Sequence, residues 1–490
     1  MKRRFTVSLT ICGVLLAAAC ADSPTRIGFG PPSRIEVVSG GAQSQLAGYP
    51  LDQAVVLRVV DERGLPVAGV PLTVSTVTPA AQLFLDTKTT DQQGKLSFHW
   101  RLGAVLGQQV VRIEAPGVAS GMSTQVSASA TGSAVRAISG GSPGLCAVYS
   151  DGRIGCWKVD RGIPTAPPTV HPVETTLRFT SLTLITTPAS DTPAKGCAIA
   201  ESGRVWCFDL DQDHWTVDNM REVPGDYDNM QSLESARNGG TSSFGGGFCG
   251  LDREGHAWCW GENVHDRLGF PNIGPIPVAT RVPIPGTLST LSLALTHGCA
   301  TQVDGRTWCW GSNATGELGR AGTDQDPIDL APMPIDSPLR FERVLTIYLG
   351  SCGITVADVV YCWGRGIPAS IRNTMTRAER EMPQQVLTGV SDIGVFPDAI
   401  FALQGGGVAE WWGDFDYLET GAGVPTPAKY PLPFTTFIAR TAPDLSSPFM
   451  CGSSGTAGGT LCFISEMFVS YPDHVIDPDR LIAFGVPPLP

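Results

Sequence analysis

Twelve cysteines between residues 146 and 462 carry the most reactive chemistry in this 490-residue chain, and their spacing decides which chemistry it is. They fall into six sequential pairs: Cys146 and Cys156, Cys197 and Cys207, Cys249 and Cys259, Cys299 and Cys309, Cys352 and Cys362, Cys451 and Cys462. Five pairs are ten residues apart and the last is eleven. Thiolates can hold zinc or close disulfides, but zinc ligands come close together, as in C-x2-C. A ten-residue spacing fits a hairpin instead. In CATQVDGRTWC (299–309), Val303, Asp304 and Gly305 make a three-residue loop whose last residue is left-handed, where glycine is the natural choice. That register pairs Gln302 with Arg306 and sets Cys299 opposite Cys309, with opposed Cα atoms about 4.5 Å apart, within disulfide reach. The twelve cysteines are therefore expected to form six cross-strand staples, each contributing about 3 kcal/mol by restricting the unfolded chain.

The remaining reactive residues do not converge on a catalytic pattern. Asp209, Asp211 and Asp213 alternate as in calcium loops, with Asp226 and Asp228 nearby, but the glycine and terminal glutamate of an EF-hand are missing. They are weak metal candidates, and a solvated acidic loop is the expected state. Seven histidines lie scattered, with no H-E-x-x-H and no clustering with cysteine. Gly-rich runs such as GGTSSFGGGF (239–248) lack the lysine of a phosphate loop. Tryptophans 157, 206, 258, 260, 308, 310, 363, 411 and 412 recur at fixed places, which predicts packing rather than a sugar-stacking platform. Asn313 and Thr315 fit a glycosylation sequon. No catalytic residue, cofactor or resident metal is expected.

The elements that position these residues repeat. First cysteines follow one another at 51, 52, 50 and 53 residues, and then after a gap of 99. In the middle of that gap FALQGGGVAEWWG (401–413) matches CATQVDGRTWCWG position for position, with Phe401 and Trp411 in place of the two cysteines and Gly407 and Gly413 retained. Both members changed together to large apolar groups, as residues in contact require. Seven repeats of roughly 50 residues signal a propeller or solenoid. Each hairpin is preceded by an apolar strand, such as 179–184, 290–295, 341–347 and 434–438, and Pro-rich segments suit an outer strand, giving four short strands per repeat.

CWGENVHDRLG (259–269) and CWGSNATGELG (309–319) resemble the repeat of the regulator of chromosome condensation family, W-G-x-N-x-x-G-x-L-G. The second matches throughout, through Gly311, Asn313, Gly316, Leu318 and Gly319, and the first has Asp266 where glycine belongs; other repeats keep only CW or CWG. The resemblance covers residues 134–490 and implies a seven-bladed β-propeller. Segments 135–139 and 481–486 both read as the opening strand of a repeat, so one is expected to complete the blade begun at the other end, removing two free edges.

Residues 33–130 contain no cysteine, and alternating runs at 34–38, 54–61, 70–74, 96–100, 110–115 and 125–130 predict about seven strands of a sandwich. VVDERGLPVAGVPLTV and TTDQQGKLSFHW resemble bacterial immunoglobulin-like domains of the invasin and intimin kind, with turns at Asp61, Gly64 and Pro66 and at 91–94. That resemblance implies a spacer, joined to the repeats by a short hinge at 131–133. The whole is an all-β chain: a seven-bladed β-propeller behind an immunoglobulin-like β-sandwich.

The start, MKRRFTVSLTICGVLLAAAC, has a basic end and an apolar stretch of about fifteen residues, too short for a comfortable membrane span. LAAAC resembles the lipobox of bacterial lipoproteins, with Ala17 where that family prefers leucine. It implies a signal peptide at 1–19, a lipid on Cys20 and a flexible tether at 20–32. Losing Lys2, Arg3 and Arg4 leaves 31 basic against 46 acidic residues, a net charge of −15, which argues against nucleic-acid partners. The expected protein is a cell-envelope lipoprotein, facing the periplasm or the outside, that binds a protein or glycan through one propeller face and is not an enzyme. Exported relatives of this repeat family that inhibit β-lactamases make an inhibitor a variant of the same idea. A propeller hydrolase or lyase is the alternative, and guanine-nucleotide exchange, the role of the family's eukaryotic founder, fits least with export and acidic charge.

Overall fold

The computed structural model describes residues 30–489 apart from 79–80, 104–105, 119–120, 142–143, 160–165, 186–193, 237–245, 272–273, 322–329, 348, 368–371, 373, 397–398, 405–407, 414–423, 432–435, 440–448, 454–459 and 466–480. The signal peptide, Cys20 and most of the tether lie outside the described residues. No helix among those described is long and apolar enough to cross a membrane.

Eight strands form the N-terminal unit: β1 (Arg34–Ser39), β2 (Ser44–Leu46), β3 (Val55–Val60), β4 (Thr73–Thr76), β5 (Gln82–Leu85), β6 (Lys95–Arg101), β7 (Gly107–Glu114) and β8 (Ser123–Thr131). They make two four-stranded sheets, ordered β1-β3-β6-β5 and β2-β8-β7-β4. Pairing is antiparallel except between β2 and β8. The alternation read from the sequence sends Val55, Leu57, Leu96, Phe98 and Trp100 from one sheet, and Val111, Ile113, Val126 and Ala128 from the other, into one core. Asp61 Oδ1 accepts from the amides of Arg63 and Leu65, and Asp91 Oδ1 from those of Gln93 and Lys95, which closes the two expected turns.

Seven four-stranded antiparallel sheets follow among the described residues, and in each the spatial order is the chain order. The opening strand of each blade packs beside the opening strand of the next, and the last of them, Thr436–Ala439, lies against the first, Val135–Gly141, closing a ring. This is a seven-bladed β-propeller. The expected exchange of strands at the seam does not occur. Val135–Gly141 is the innermost strand of the first blade and Leu481–Gly485 the outermost strand of the last, paired with Thr460–Ser465. Segment 481–485 shares the apolar pattern of an opening strand, and pattern alone cannot separate an inner strand from an outer one.

The connector at 131–133 is not a hinge. Ser133 donates to the Val486 carbonyl at 2.8 Å and accepts from Thr460 at 3.2 Å, while Gly485 donates to Ala47 of the sandwich at 2.9 Å. Backbone bonds to two other segments hold those three residues, and one apolar cluster runs from the sandwich core into the first and last blades.

The hairpin turns explain how neighbouring blades register. At Gly305 (φ 83°) the turn closes as expected, with Gln302 donating to Arg306 at 2.7 Å and Gly305 to Gln302 at 2.8 Å. The Gly305 carbonyl then accepts from Phe341, the first residue of the next blade, at 2.9 Å. The same bond joins Gly152 to Phe179, Gly203 to Met230, Gly255 to Leu288 and Asp358 to Val390. A Cβ on Gly305 would stand 2.8 Å from Arg340 Cβ, so both the positive φ and the close approach require glycine.

Candidate interaction face

Antiparallel order sorts the connections onto two faces. First-to-second and third-to-outer connections emerge on one face, and hairpin turns and blade-to-blade crossings on the other. Third-to-outer connections run from 6 residues (211–216) to 19 (365–383), whereas hairpin turns run from 3 (356–358) to 6 (454–459). The third-to-outer loops make the first face the longer-looped one, although its first-to-second connections run from 2 residues (142–143) to 10 (237–246) and the crossings on the other face from 1 (389) to 7 (223–229). The sandwich grips the tight-turn face, where Thr460 and Gly485 lie.

The sandwich is also polar end to end. The chain enters it where Gly30 donates to Asp61 Oδ2 at 3.0 Å, beside the paired Arg34 and Val60. It leaves through Thr131, paired with Leu46 at the opposite end. The order in space is entry pole, sandwich, tight-turn face, long-loop face.

The W-G-x-N loops are folded into the rim of the long-loop face. Asn313 Oδ1 accepts from Leu318 at 3.0 Å, and Asn263 Oδ1 from Leu268 at 2.9 Å, so each asparagine pins its loop and drives its leucine into the core. Asp266 takes the position of Gly316 and shares its positive φ, 52° against 88°. Asn313 is 2% exposed, so the sequon asparagine is a structural residue. Each loop also caps the next blade: Trp310 Nε1 donates to the Arg267 carbonyl at 2.7 Å, and Trp363 Nε1 to the Glu317 carbonyl at 2.8 Å. Arg267 is fully buried, with its Nε and a terminal nitrogen on the Glu262 carbonyl, and burial pulls its guanidinium down to about 10.

All six cysteine pairs are disulfides between directly opposed residues, with Cα atoms 4.0 to 4.2 Å apart. Phe401 stands opposite Trp411 in the same register; their side chains lie outside what is described. Trp157, Trp260, Trp310 and Trp363 are buried between blades, as packing predicts, while Trp206, Trp258 and Trp308 are half-buried. Only the backbone of Trp412 is described, paired with Ile400.

Asp209, Asp211 and Asp213 are used locally. Asp209 accepts from Lys195 Nζ at 2.6 Å and Asn219 Nδ2 at 3.0 Å; burial works the other way, but these bonds hold its carboxyl below the usual range. Asp211 bonds His214 Nδ1 at 2.9 Å and caps the amides of Asp213 and His214, which lowers its carboxyl and raises the imidazole. Asp213 is exposed. No group of three or more metal-capable side chains occurs among the described residues.

Sequence reasoning missed a buried polar chain between the fourth and fifth blades. His297, wholly buried at the start of His297–Gln302, has Nε2 3.0 Å from Ser351 Oγ and Nδ1 3.3 Å from Thr296 Oγ1. Ser351 Oγ donates to the Glu317 carbonyl at 3.0 Å, which assigns the Nε2–H tautomer to a neutral imidazole. Burial pushes His297 down to about 3 and raises the Glu317 carboxyl. The only sequence signal was polarity at 297 and 351, each two positions before or one before the first cysteine of an otherwise apolar strand.

No family model matches the chain, and no curated protein matches it. Among solved structures it is similar to human WBSCR16, at 11% identity and TM-score 0.47 over 61% of this chain and 81% of that one. It is also similar to Prp20p of Saccharomyces cerevisiae (16% identity, TM-score 0.44, 60% and 76%) and to the CRINKLY WD40 ectodomain of the Arabidopsis thaliana receptor kinase ACR4 (17%, 0.35, 66% and 94%). The fold rests on the seven sheets themselves. Together they define an all-β protein in which a disulfide-stapled β-propeller is carried on a β-sandwich.

Proposed function

We propose that this is a lipid-anchored cell-envelope interaction protein whose long-loop propeller face binds a protein or glycan partner. The observation that carries the reading is the arrangement of faces: the sandwich occupies the tight-turn face, and the chain enters the sandwich at its far pole. An anchor at Cys20, followed by the short segment 21–29, then directs the long-loop face away from the membrane. Six disulfides fit an exported protein in an oxidising compartment. The two sandwich sheets have the strand order of a constant-type immunoglobulin domain, with β1-β3-β6-β5 as its ABED sheet and β4-β7-β8 as its CFG sheet. That supports the immunoglobulin-like spacer reading. The binding role is preferred to an enzymatic one on the sequence reading, in which no catalytic motif is recognised.

The test is site-specific photo-crosslinking in intact cells. A crosslinker at His214, Ala314 or Ala378, exposed on the long-loop face, captures one saturable partner, while one at Val303 or Val356 on the tight-turn face does not. Capture from the tight-turn positions alone overturns the choice of face. Turnover of a small molecule with no partner captured from either face overturns the binding role in favour of a propeller enzyme.

A further inference from the structure

A ring of seven blades with no shared strand has a seam, and something other than strand exchange must hold it. The first blade takes all four strands from 135–172 and the last takes all four from 436–485. Across the seam the opening strands lie side by side. Among the described residues two segments bridge it: the connector, whose Ser133 bonds Thr460 and Val486 just before the first blade begins, and the stretch that follows the last strand.

We propose that residues 485–489, Gly-Val-Pro-Pro-Leu, are a clasp that closes the propeller and locks it to the sandwich in a single joint. Gly485 donates to Ala47 of the sandwich at 2.9 Å. Val486, fully buried, donates to Thr460 of the last blade at 3.2 Å and accepts from Ser133 of the connector at 2.8 Å. The Pro487 carbonyl accepts from the Tyr149 hydroxyl of the first blade at 2.8 Å, a contact between residues 338 apart in sequence. Leu489 packs over Gly155 of that blade and against the apolar cluster that includes Val170. Five consecutive residues thus touch the sandwich, the connector and both blades of the seam.

Two independent features of the sequence suit this path. Pro487 and Pro488 fix φ and hold the segment extended, and buried Pro487 carries no N–H that would need a partner inside the joint, while Pro488 faces solvent. Three glycines on three different elements clear the way. A Cβ would stand 2.3 Å from the Thr131 carbonyl at Gly485, 2.5 Å from Leu489 Cδ1 at Gly155, and 3.0 Å from the Thr460 carbonyl at Gly132. Ring closure and sandwich docking are therefore one event: releasing the clasp frees the seam and the connector together. This stands whether or not the long-loop face binds a partner.

The test uses the intact chain and native-state hydrogen exchange. Tyr149→Phe combined with Leu489→Ala removes the Pro487 bond and the Leu489 contact without adding charge. It is expected to speed exchange at the Ser133 and Val486 amides together by roughly tenfold or more, and to leave Phe341, bonded to Gly305 far round the ring, unchanged. Unchanged exchange at Ser133 and Val486, or equal acceleration at Phe341, overturns the clasp. Val486→Asp, the stronger variant, is expected to split thermal unfolding into separate sandwich and propeller transitions. A single transition at the wild-type temperature overturns the coupling, and if this variant does not fold, the exchange of the milder one decides.

Discussion

The buried His297 sets a pH dependence that can be worked out in advance. Its folded value is about 3, depressed by burial, against an unfolded value of roughly 6.5. Between these values the unfolded chain binds a proton that the folded chain refuses. Stability from this residue is complete above about pH 6.5 and falls as the pH drops, down to about pH 3. At pH 5 the gap is about 1.5 pH units, or roughly 2 kcal/mol at 1.36 kcal/mol per unit. The assay is denaturant unfolding, disulfides intact, at pH 7.5 and pH 5, for the wild type and His297→Gln. Glutamine places an amide N–H near the Nε2 position, so it can keep the bond to Ser351 without titrating. Every other titrating group, Glu317 included, is common to both proteins and cancels in the difference. Wild type is expected to lose about 2 kcal/mol more than the variant between the two pH values. Parallel losses within about 0.5 kcal/mol would mean that His297 takes up its proton in the folded state, and the account of its burial would fail.

Other outcomes follow from the same geometry. Gly305→Ala forces a Cβ into left-handed backbone and against Arg340, and should cost about 2 kcal/mol or more by denaturant midpoint, whereas Asp358→Gly, at the equivalent turn with φ 58°, should gain up to about 1 kcal/mol. Trp310→Phe leaves the Arg267 carbonyl without its indole donor and should cost about 1 to 3 kcal/mol more than Trp260→Phe, because Trp260 Nε1 is buried without a partner among the described residues. Converting both Phe401 and Trp411 to cysteine should create a seventh disulfide, since their backbones already oppose one another; intact mass under non-reducing conditions reads the loss of two hydrogens, and two free thiols would refute the shared register.

Much of this protein was legible because it repeats. A spacing of ten around V-D-G fixes a hairpin, the hairpin fixes the opposed cysteines, and Phe401 with Trp411 completes the count, all through contacts within a dozen residues of one another. Alternation likewise located six of the sandwich's eight strands, and the three-residue β2 and four-residue β5 were too short to carry a pattern. The buried histidine was not legible, because its partners Ser351 and Glu317 come from a loop and a strand of other repeat positions, and nothing local marks 297 as buried rather than exposed.

What the sequence by itself determined is therefore the local unit, its number and its staples, because hairpin register is set by turn chemistry and by side-chain alternation. Only the tertiary structure decided how the units end. Segment 481–485 carries the apolar pattern of an inner strand yet lies outermost, the expected hinge at 131–133 is a bonded joint, and the seam is crossed by residues 485–489. The joint and the seam turn on contacts between residues hundreds of positions apart, such as Pro487 with Tyr149, and the outer strand on a pairing with 460–465 that its apolar pattern does not distinguish from an inner one.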